Sequence, residues 1–200
     1  MMEKIHLKNH IIYNTALLFI KQGYTKTTTK QIALNCNITE GALFRSFKDK
    51  ESILKEIINI ILTNNLLNIN NINDYLDLSI NILYNANKDE ILNDLFINIY
   101  SLDNTRKLLN EYIAELFYRN LNLLNYDVKE YYELEVALSG IFLNYLKLET
   151  NMYFTINQKI NRYIDIVKML LNNTQYSASN TNINILDNIN NYFIKKGDNN

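Results

Sequence analysis

The stretch that decides the fold is GYTKTTTKQIALNCNITEGALFRSFKDKESIL, residues 23–54. Within it, Thr28-Thr29-Lys30-Gln31 has the form of a capping box, in which the Thr28 hydroxyl accepts from a free amide and Gln31 reaches back. A short helix carrying Ile32, Ala33 and Cys36 inward should follow and end near Asn37, because asparagine tolerates the left-handed conformation that a tight turn requires. The pattern predicts two short helices joined by a three-residue turn.

Longer helices are predicted on both sides of this pair. Thr39 is placed to cap a third helix over residues 40–47, and Asp49 a fourth. Upstream, a first helix ends at Gly23 and has apolar residues on one face, namely Ile5, Ile12, Ala16, Phe19 and Ile20. Two short helices held by longer neighbours indicate a helix-turn-helix.

The composition of the whole chain favours long helices. Its 200 residues are 48% hydrophobic and 20% charged, which is typical of a globular protein with a proper core. The absence of proline and the presence of only four glycines argue against β architectures with many turns and against glycine-rich phosphate-binding loops. The single cysteine, Cys36, excludes an internal disulfide or a thiolate zinc cluster.

The charge is distributed unevenly along the chain. The formal net charge is only −1, yet residues 1–52 contain eight basic and four acidic residues, and the remainder contains twelve basic and seventeen acidic ones. A basic head on an acidic body suggests that the head meets a polyanion.

Residues 23–54 resemble the N-terminal signature of the tetracycline-repressor (TetR) family in order and spacing. The matching residues are Gly23, Tyr24, Thr27, Thr28, Ile32, Ala33, Ile38, Thr39, Gly41, Leu43, Phe47, Lys50, Glu51 and Leu54. The resemblance implies an all-α fold of about nine to ten helices. Residues 1–50 would form a three-helix helix-turn-helix DNA-binding domain, with the motif at about 28–47, and residues 51–200 a helical effector-binding and dimerisation domain.

The resemblance also implies which residues contact double-stranded DNA. Hydroxyls and a charge at the start of the second helix would bind phosphate, residues 40–45 would enter the major groove, and a lysine at the start of the fourth helix would hold another phosphate. The implied DNA-binding residues are Thr28, Thr29, Lys30, Thr39, Glu40, Gly41, Ala42, Phe44, Arg45 and Lys50.

Several residues depart from the family pattern. Phe44 stands where the family usually has tyrosine, so a phosphate-binding hydroxyl is missing, and Asn37 and Ser46 also replace the usual residues. Glu40 can accept from a cytosine amino group but is repelled by phosphates, and Ala42 offers only a methyl contact, for example to thymine. We expect DNA binding to survive, carried by the basic residues and threonines, and to depend strongly on salt.

Two helices in the last third of the chain have apolar residues spaced alternately by three and four, the pattern of helices packed nearly parallel. In the family, the last two long helices of each protomer form a four-helix bundle across a two-fold axis. The homodimer interface implied is Leu134, Leu138, Ile141, Tyr145, Leu148, Ile160, Tyr163, Val167 and Leu170. The alternative is that both stripes are core within one chain.

The middle helices are rich in aromatic residues, in the region that encloses an effector pocket in the family. The candidate pocket residues are Tyr75, Tyr84, Phe96, Tyr100, Tyr112, Phe117 and Tyr118. Few charged residues fall on apolar faces here, which favours a small apolar or weakly polar effector. The alternative is that these aromatic residues are simply core.

Other candidate sites are weak. His6 and His10 have a spacing that can hold a metal, but no third ligand is evident, and no catalytic triad or dyad stands out. We expect no metal, no cofactor and no enzymatic activity. Without an export signal or a membrane-spanning stretch, the expected location is the cytoplasm.

The sequence therefore predicts a homodimeric transcriptional repressor that binds a palindromic operator and is released by a small-molecule effector. Two alternatives stay open. One is a family member that binds DNA without answering to a small molecule. The other is a protein-interaction module whose DNA-reading head has decayed.

Overall fold

A computed structural model describes residues 2–64, 66, 72–120, 128–149, 152–170 and 185–197. Every regular element in these residues is an α-helix, which confirms the all-α fold. The ten helices are α1 (Met2–Gln22), α2 (Thr29–Asn35), α3 (Glu40–Ser46), α4 (Lys50–Thr63), α5 (Ile72–Ala86), α6 (Glu90–Ser101), α7 (Asp103–Asn120), α8 (Val128–Lys147), α9 (Ile156–Leu170) and α10 (Ile185–Gly197).

The turns of the head follow from local sequence. Gly23 ends α1 at a φ of +86°, and a Cβ there would lie 2.8 Å from Asp94 Oδ2, so only glycine fits. The Thr28 hydroxyl accepts from the amide of Gln31 at 3.2 Å, and Gln31 Oε1 accepts from the Thr28 amide at 2.9 Å. The predicted capping box is therefore present. Asn37 has a φ of +53°, the left-handed turn that the sequence predicts.

A small apolar core holds α2 and α3 against their neighbours. Ile32 and Ala33 of α2 and Leu43 of α3 are buried, and so is Phe47 directly after α3. Cys36 lies in the same core, where burial raises the pKa of its thiol to about 11, so the thiol is unreactive at neutral pH.

Two helices join the head to the rest of the molecule. Helix α1 packs against α2 and α4, and also against α6 and α10, while α4 packs against α7. Helix α8 lies centrally in the body and packs against α5, α6, α7 and α9. The proposed boundary near residue 50 stays a prediction, since α4 contributes to both parts. Across the part of the chain that the structure describes, no helix is long and apolar enough to cross a bilayer.

Candidate nucleic-acid interface

The outward face of α3 is the exposed side of the helix-turn-helix. Gly41, Phe44 and Arg45 lie on one face of α3 and are exposed, whereas Leu43 turns into the core. Lys48 is also exposed, but it lies two residues after α3 ends. Thr39 caps this helix, because its hydroxyl accepts from the amide of Ala42 at 3.1 Å. Lys48 was missed as a candidate by the sequence analysis, although the basic run of Arg45, Lys48 and Lys50 could have indicated it.

Two residues implied as DNA contacts bind each other instead. The Thr29 hydroxyl donates to Glu40 Oε1 at 2.9 Å, which joins the first residue of α2 to the first residue of α3. The carboxylate of Glu40 is thereby drawn towards α2. For Thr29 to donate to a phosphate, this hydrogen bond must first break. Lys30, the next residue along, is exposed.

Lys50 stands at the start of α4, as the sequence predicts, but its amine is bonded within the head. Its Nζ donates to the carbonyl oxygens of Tyr24 at 2.7 Å and Thr27 at 2.8 Å, and it lies 4.0 Å from the centre of the Tyr24 ring. Burial lowers the pKa of the Lys50 amine, while Asp94 acts in the opposite direction. Lys50 therefore ties the loop between α1 and α2 to the start of α4, and two of its three donors are already used.

We expect Lys50→Met to lower the free energy of unfolding by about 1–3 kcal/mol, because it leaves two backbone carbonyls without their charged donor. Lys48→Met, which removes the same charge from an exposed position, should leave the stability unchanged. Urea denaturation of the two variants measures the difference. Equal stabilities, with weaker DNA binding by Lys50→Met, would instead make Lys50 a phosphate contact.

An open groove of about 470 Å³ separates α3 from α1. It is lined by Leu7, Ala42, Arg45 and Ser46. On the same helix as Leu7, the Nζ of Lys8 lies 5.2 Å from the centre of the Phe47 ring. The groove therefore has a guanidinium in its wall and a lysine on the helix that forms its other side.

His10 is bonded to groups of α1 and the turn after α2. His10 Nε2 lies 3.3 Å from the carbonyl oxygen of Cys36, and its Nδ1 lies 3.3 Å from the side-chain amide of Asn14. His6 is exposed. Within the described ranges, no three residues of the His, Cys, Asp and Glu types come together as metal ligands would.

The body contains an apolar cavity of about 50 Å³ beside the head. Its walls come from α1, α4, α5, α6, α7 and α10, and three candidate pocket residues, Tyr75, Phe96 and Tyr100, are among them. Among the described residues that line it, those with a polar side-chain group are Tyr75, Ser79 and Tyr100.

The other candidate pocket residues lie elsewhere. Tyr84 is 38% exposed, with its hydroxyl 2.5 Å from Lys88 Nζ, so its assignment to the pocket is corrected to the surface of α5. Tyr112 is half-buried but does not line the cavity. The side chains of Phe117 and Tyr118 lie outside the described residues.

The structure corrects part of the interface implied for α8 and α9. Leu138, Tyr163 and Val167 are completely buried within one chain and therefore belong to its core. Leu134, Ile141, Tyr145 and Ile160 are half-buried at the edge of that core, and Leu148 and Leu170 are exposed. The large apolar residues that α8, α9 and the turn between them expose are Val136, Leu148, Met152, Tyr153, Met169 and Leu170.

A buried polar cluster on α8 was not found from the sequence. Glu135 is fully buried, and burial raises the pKa of its carboxyl to about 8. Its Oε1 lies 2.5 Å from Ser139 Oγ, which lies 2.6 Å from Asn110 Oδ1 on α7. Its Oε2 has no hydrogen-bond partner among the described residues. An acidic residue between apolar ones usually faces solvent, so no signal in the sequence distinguishes this one.

Comparisons with known proteins place similarity mainly in the head. Residues 11–57 match the family model described as bacterial regulatory proteins, tetR family. The chain is 42% identical over 41 residues to the uncharacterized HTH-type transcriptional regulator YvkB of Bacillus subtilis, a match that spans 20% of this chain and 22% of that protein. It is 41% identical over 56 residues to the HTH-type transcriptional regulator QacR of Staphylococcus aureus, spanning 28% and 30%.

These matches thus span less than a third of the length of either relative. Among solved structures, a TetR-family transcriptional regulator from Bordetella parapertussis aligns over 86% of this chain and 97% of that chain, with 15% identity and a TM-score of 0.41.

Proposed function

We propose, from the match of residues 11–57 to the model of the tetR family of bacterial regulatory proteins, that this chain is a homodimeric transcriptional repressor of that family. It binds a palindromic operator through α3 and is released by a small apolar or weakly polar effector. The observation that carries the proposal is the exposed face of α3, with Gly41, Phe44 and Arg45, in a helix-turn-helix that also exposes Lys48 just after α3 ends.

The electrostatics of the head support DNA as its partner. Arg45 is exposed on α3 and Lys48 just after it. Lys30 is exposed at the start of α2, and Lys8 lies on the far side of the groove. A major groove admits a helix, and the phosphates on either side of it would meet these cations. Arg45 serves either a phosphate or the O6 and N7 atoms of guanine, because its fork suits both.

The exposed side of α8 supports a second copy of the chain as a partner. Val136 is 44% exposed, Ala137 and Gly140 are exposed beside it, and a Cβ built at Gly140 meets nothing within 4 Å. Met169 and Leu170 end α9 with further exposed apolar surface. Small residues let two helices approach closely, and a two-fold axis lets the same patch pair with itself.

The position of the cavity supports an effector that acts on the head. Phe19 of α1 and Leu54 of α4 form walls together with Phe96 of α6, so a molecule larger than the cavity of about 50 Å³ must displace helices that carry the head. On α6, the Asp94 carboxylate accepts from the amide of Thr25 at 2.9 Å and from the Thr25 hydroxyl. Movement of α6 is thereby passed to the loop before α2. The effector acts because it binds the arrangement with displaced helices more tightly than the arrangement that binds DNA.

The small volume favours one alternative, a family member without a small-molecule effector. A cavity of about 50 Å³ holds one or two water molecules and no drug-sized compound until it expands. If crystals grown with many candidate ligands show no ligand in the cavity and no change in its size, this alternative is supported.

The proposal is tested by selecting operators from random duplexes and measuring binding by fluorescence anisotropy. We expect specific binding at least about a thousandfold tighter than binding to random DNA, with affinity falling steeply as salt rises. Arg45→Ala should weaken operator binding by about 10–100-fold, since it removes a fork-shaped cation from the exposed face of α3. Lys88→Ala, the loss of one exposed charge from the body, is the control. Binding that is uniformly weak on every duplex would overturn the proposal.

A further inference from the structure

An aromatic ring stands at the centre of the face of α3 that is proposed to enter the groove. Phe44 is 50% exposed, whereas the neighbouring anchors Leu43 and Phe47 are only 1% and 5% exposed. Gly41 precedes it by one turn and Arg45 adjoins it, while Lys48 is exposed just beyond the end of α3. Because this face is proposed to meet DNA, the exposed half of the ring would leave water on binding, and it gains most against an apolar group of the DNA.

We propose that Phe44 is the residue that selects thymine, by packing against its C5-methyl group in the major groove. This inference rests on the proposed function and specifies the kind of half-site that the head reads: each half-site carries thymine where the Phe44 ring meets the base edges. Its chemistry differs from that of the cations around it, which bind phosphate or guanine.

The chemistry of the ring excludes the other groups in the groove as its main partner. Phenylalanine has neither a donor nor an acceptor, so it cannot satisfy a phosphate oxygen or distinguish bases by hydrogen bonding. Among the base edges in the major groove, the thymine methyl is the one apolar group. The contact between that methyl group and the ring therefore buries apolar surface on both sides and contributes most to the binding free energy from Phe44.

The surroundings of Phe44 allow a close approach to the base edges. Gly41 presents no side chain on the same face, and a Cβ there would meet only Thr39 Oγ1, at 3.9 Å. Glu40, the acid nearest to this face in sequence, accepts from the Thr29 hydroxyl and is held towards α2. Its carboxylate is therefore engaged away from Phe44 and does not compete for cytosine amino groups beside the ring.

The test removes one methyl group at a time from the DNA. In the operator recovered by selection, each thymine is replaced by deoxyuridine, which differs only by the missing C5-methyl. For the wild-type protein, we expect about a 3- to 10-fold loss of affinity at one or two positions in each half-site, the effect of burying one methyl group on an aromatic ring. A second pair of operators carries cytosine or 5-methylcytosine in place of the sensitive thymine. The 5-methylcytosine operator should bind more tightly than the cytosine operator, because it restores the methyl group.

Phe44→Ala should bind thymine and deoxyuridine operators equally, because the ring that senses the methyl is gone. Leu34→Ala is the matched control: Leu34 is also a large apolar residue of the helix-turn-helix, 76% exposed, but it lies on α2. This variant should keep the full deoxyuridine effect. Both substitutions are at exposed positions and should leave thermal unfolding within about 0.5 kcal/mol of wild type.

The outcomes separate this inference from the proposed function. Specific operator binding that no deoxyuridine weakens, or a deoxyuridine effect that Phe44→Ala retains in full, would overturn the role of Phe44 and leave the repressor standing. If selection enriches no sequence at all, the proposed function fails and the inference fails with it.

Discussion

The free energy of unfolding should fall by roughly 5 kcal/mol as the pH rises from about 4.5 to about 8, and Glu135→Gln should remove most of this fall. The pKa of the Glu135 carboxyl is raised from 4.5 to about 8 in the folded protein. Between these values the folded state keeps the proton while the unfolded chain releases it. Stability from this group is therefore complete at low pH, is lost as the pH rises, and stops changing above about pH 8.

The contacts around Glu135 agree with a protonated carboxyl. The Ser139 hydroxyl lies within 2.6 Å of two oxygens, Glu135 Oε1 and Asn110 Oδ1, but it has only one proton to donate. If Glu135 is protonated, it donates to Ser139, which then donates to Asn110, and both contacts are satisfied. Burial raises the pKa values of the nearby Tyr75, Tyr100 and Tyr163 above their ordinary value. These tyrosines stay neutral across the window.

Urea denaturation of wild type and Glu135→Gln at pH 5, 6, 7, 8 and 9 measures the effect. The difference between their free energies of unfolding isolates Glu135, because the contributions of the other titratable groups are common to both proteins. The curves should converge at low pH and diverge towards pH 8, where the glutamine variant is the more stable. Glu133→Gln, an exposed substitution on the same helix, should run parallel to wild type. Parallel curves for Glu135→Gln as well would show that its carboxyl titrates normally.

The local parts of the fold could be predicted from sequence because their causes are local. The capping box at Thr28 and Gln31, the left-handed Asn37 and the helix end at Gly23 each depend on residues within one turn. The two short helices of the head therefore begin and end close to where the sequence places them.

The faces of the body helices could not be predicted in the same way. On α8 the completely buried side runs through Glu135, Leu138, Ser139, Phe142 and Leu146, about one residue away from the apolar stripe read from the sequence. Alternating spacing of three and four fits either stripe, and only the packing of α5, α6, α7 and α9 decides between them.

The same limit applies to Lys50. A lysine at the start of a helix, in a chain that resembles a DNA-binding family, indicates a phosphate contact. The carbonyl oxygens that it binds lie 26 and 23 residues earlier in the chain, so no local pattern reveals them. To predict that Arg45 is exposed, it was enough to identify the outward face of α3 from the local pattern.

Val136→Glu should convert the protein to a monomer at micromolar concentration and lower its operator affinity by about 100-fold or more. Val136 lies on the exposed side of α8 beside Ala137 and Gly140, where the second copy is proposed to pack. A glutamate there meets its own symmetry mate across the two-fold axis, so two like charges are brought together and desolvated. The variant monomer retains an intact head.

The loss of affinity follows from geometry rather than from any change in α3. A dimer that has bound one half-site holds its second head at high effective concentration over the other half-site, about one DNA turn away. A monomer must bind each half-site separately, so binding should become weak and lose its dependence on half-site spacing. Sedimentation velocity gives the oligomeric state, and anisotropy on full and half operators gives the two affinities.

Ile194→Glu provides the matched control, since Ile194 of α10 is 42% exposed, close to the 44% of Val136. It introduces the same charge into an exposed apolar position on a different helix and should leave both the dimer and the operator affinity intact. A wild-type protein that sediments as a monomer at micromolar concentration would contradict the dimer itself. If Val136→Glu is monomeric and still binds the full operator as tightly as wild type, one head is sufficient for binding. A monomer has no avidity, so equal affinity would mean that the second head contributes nothing.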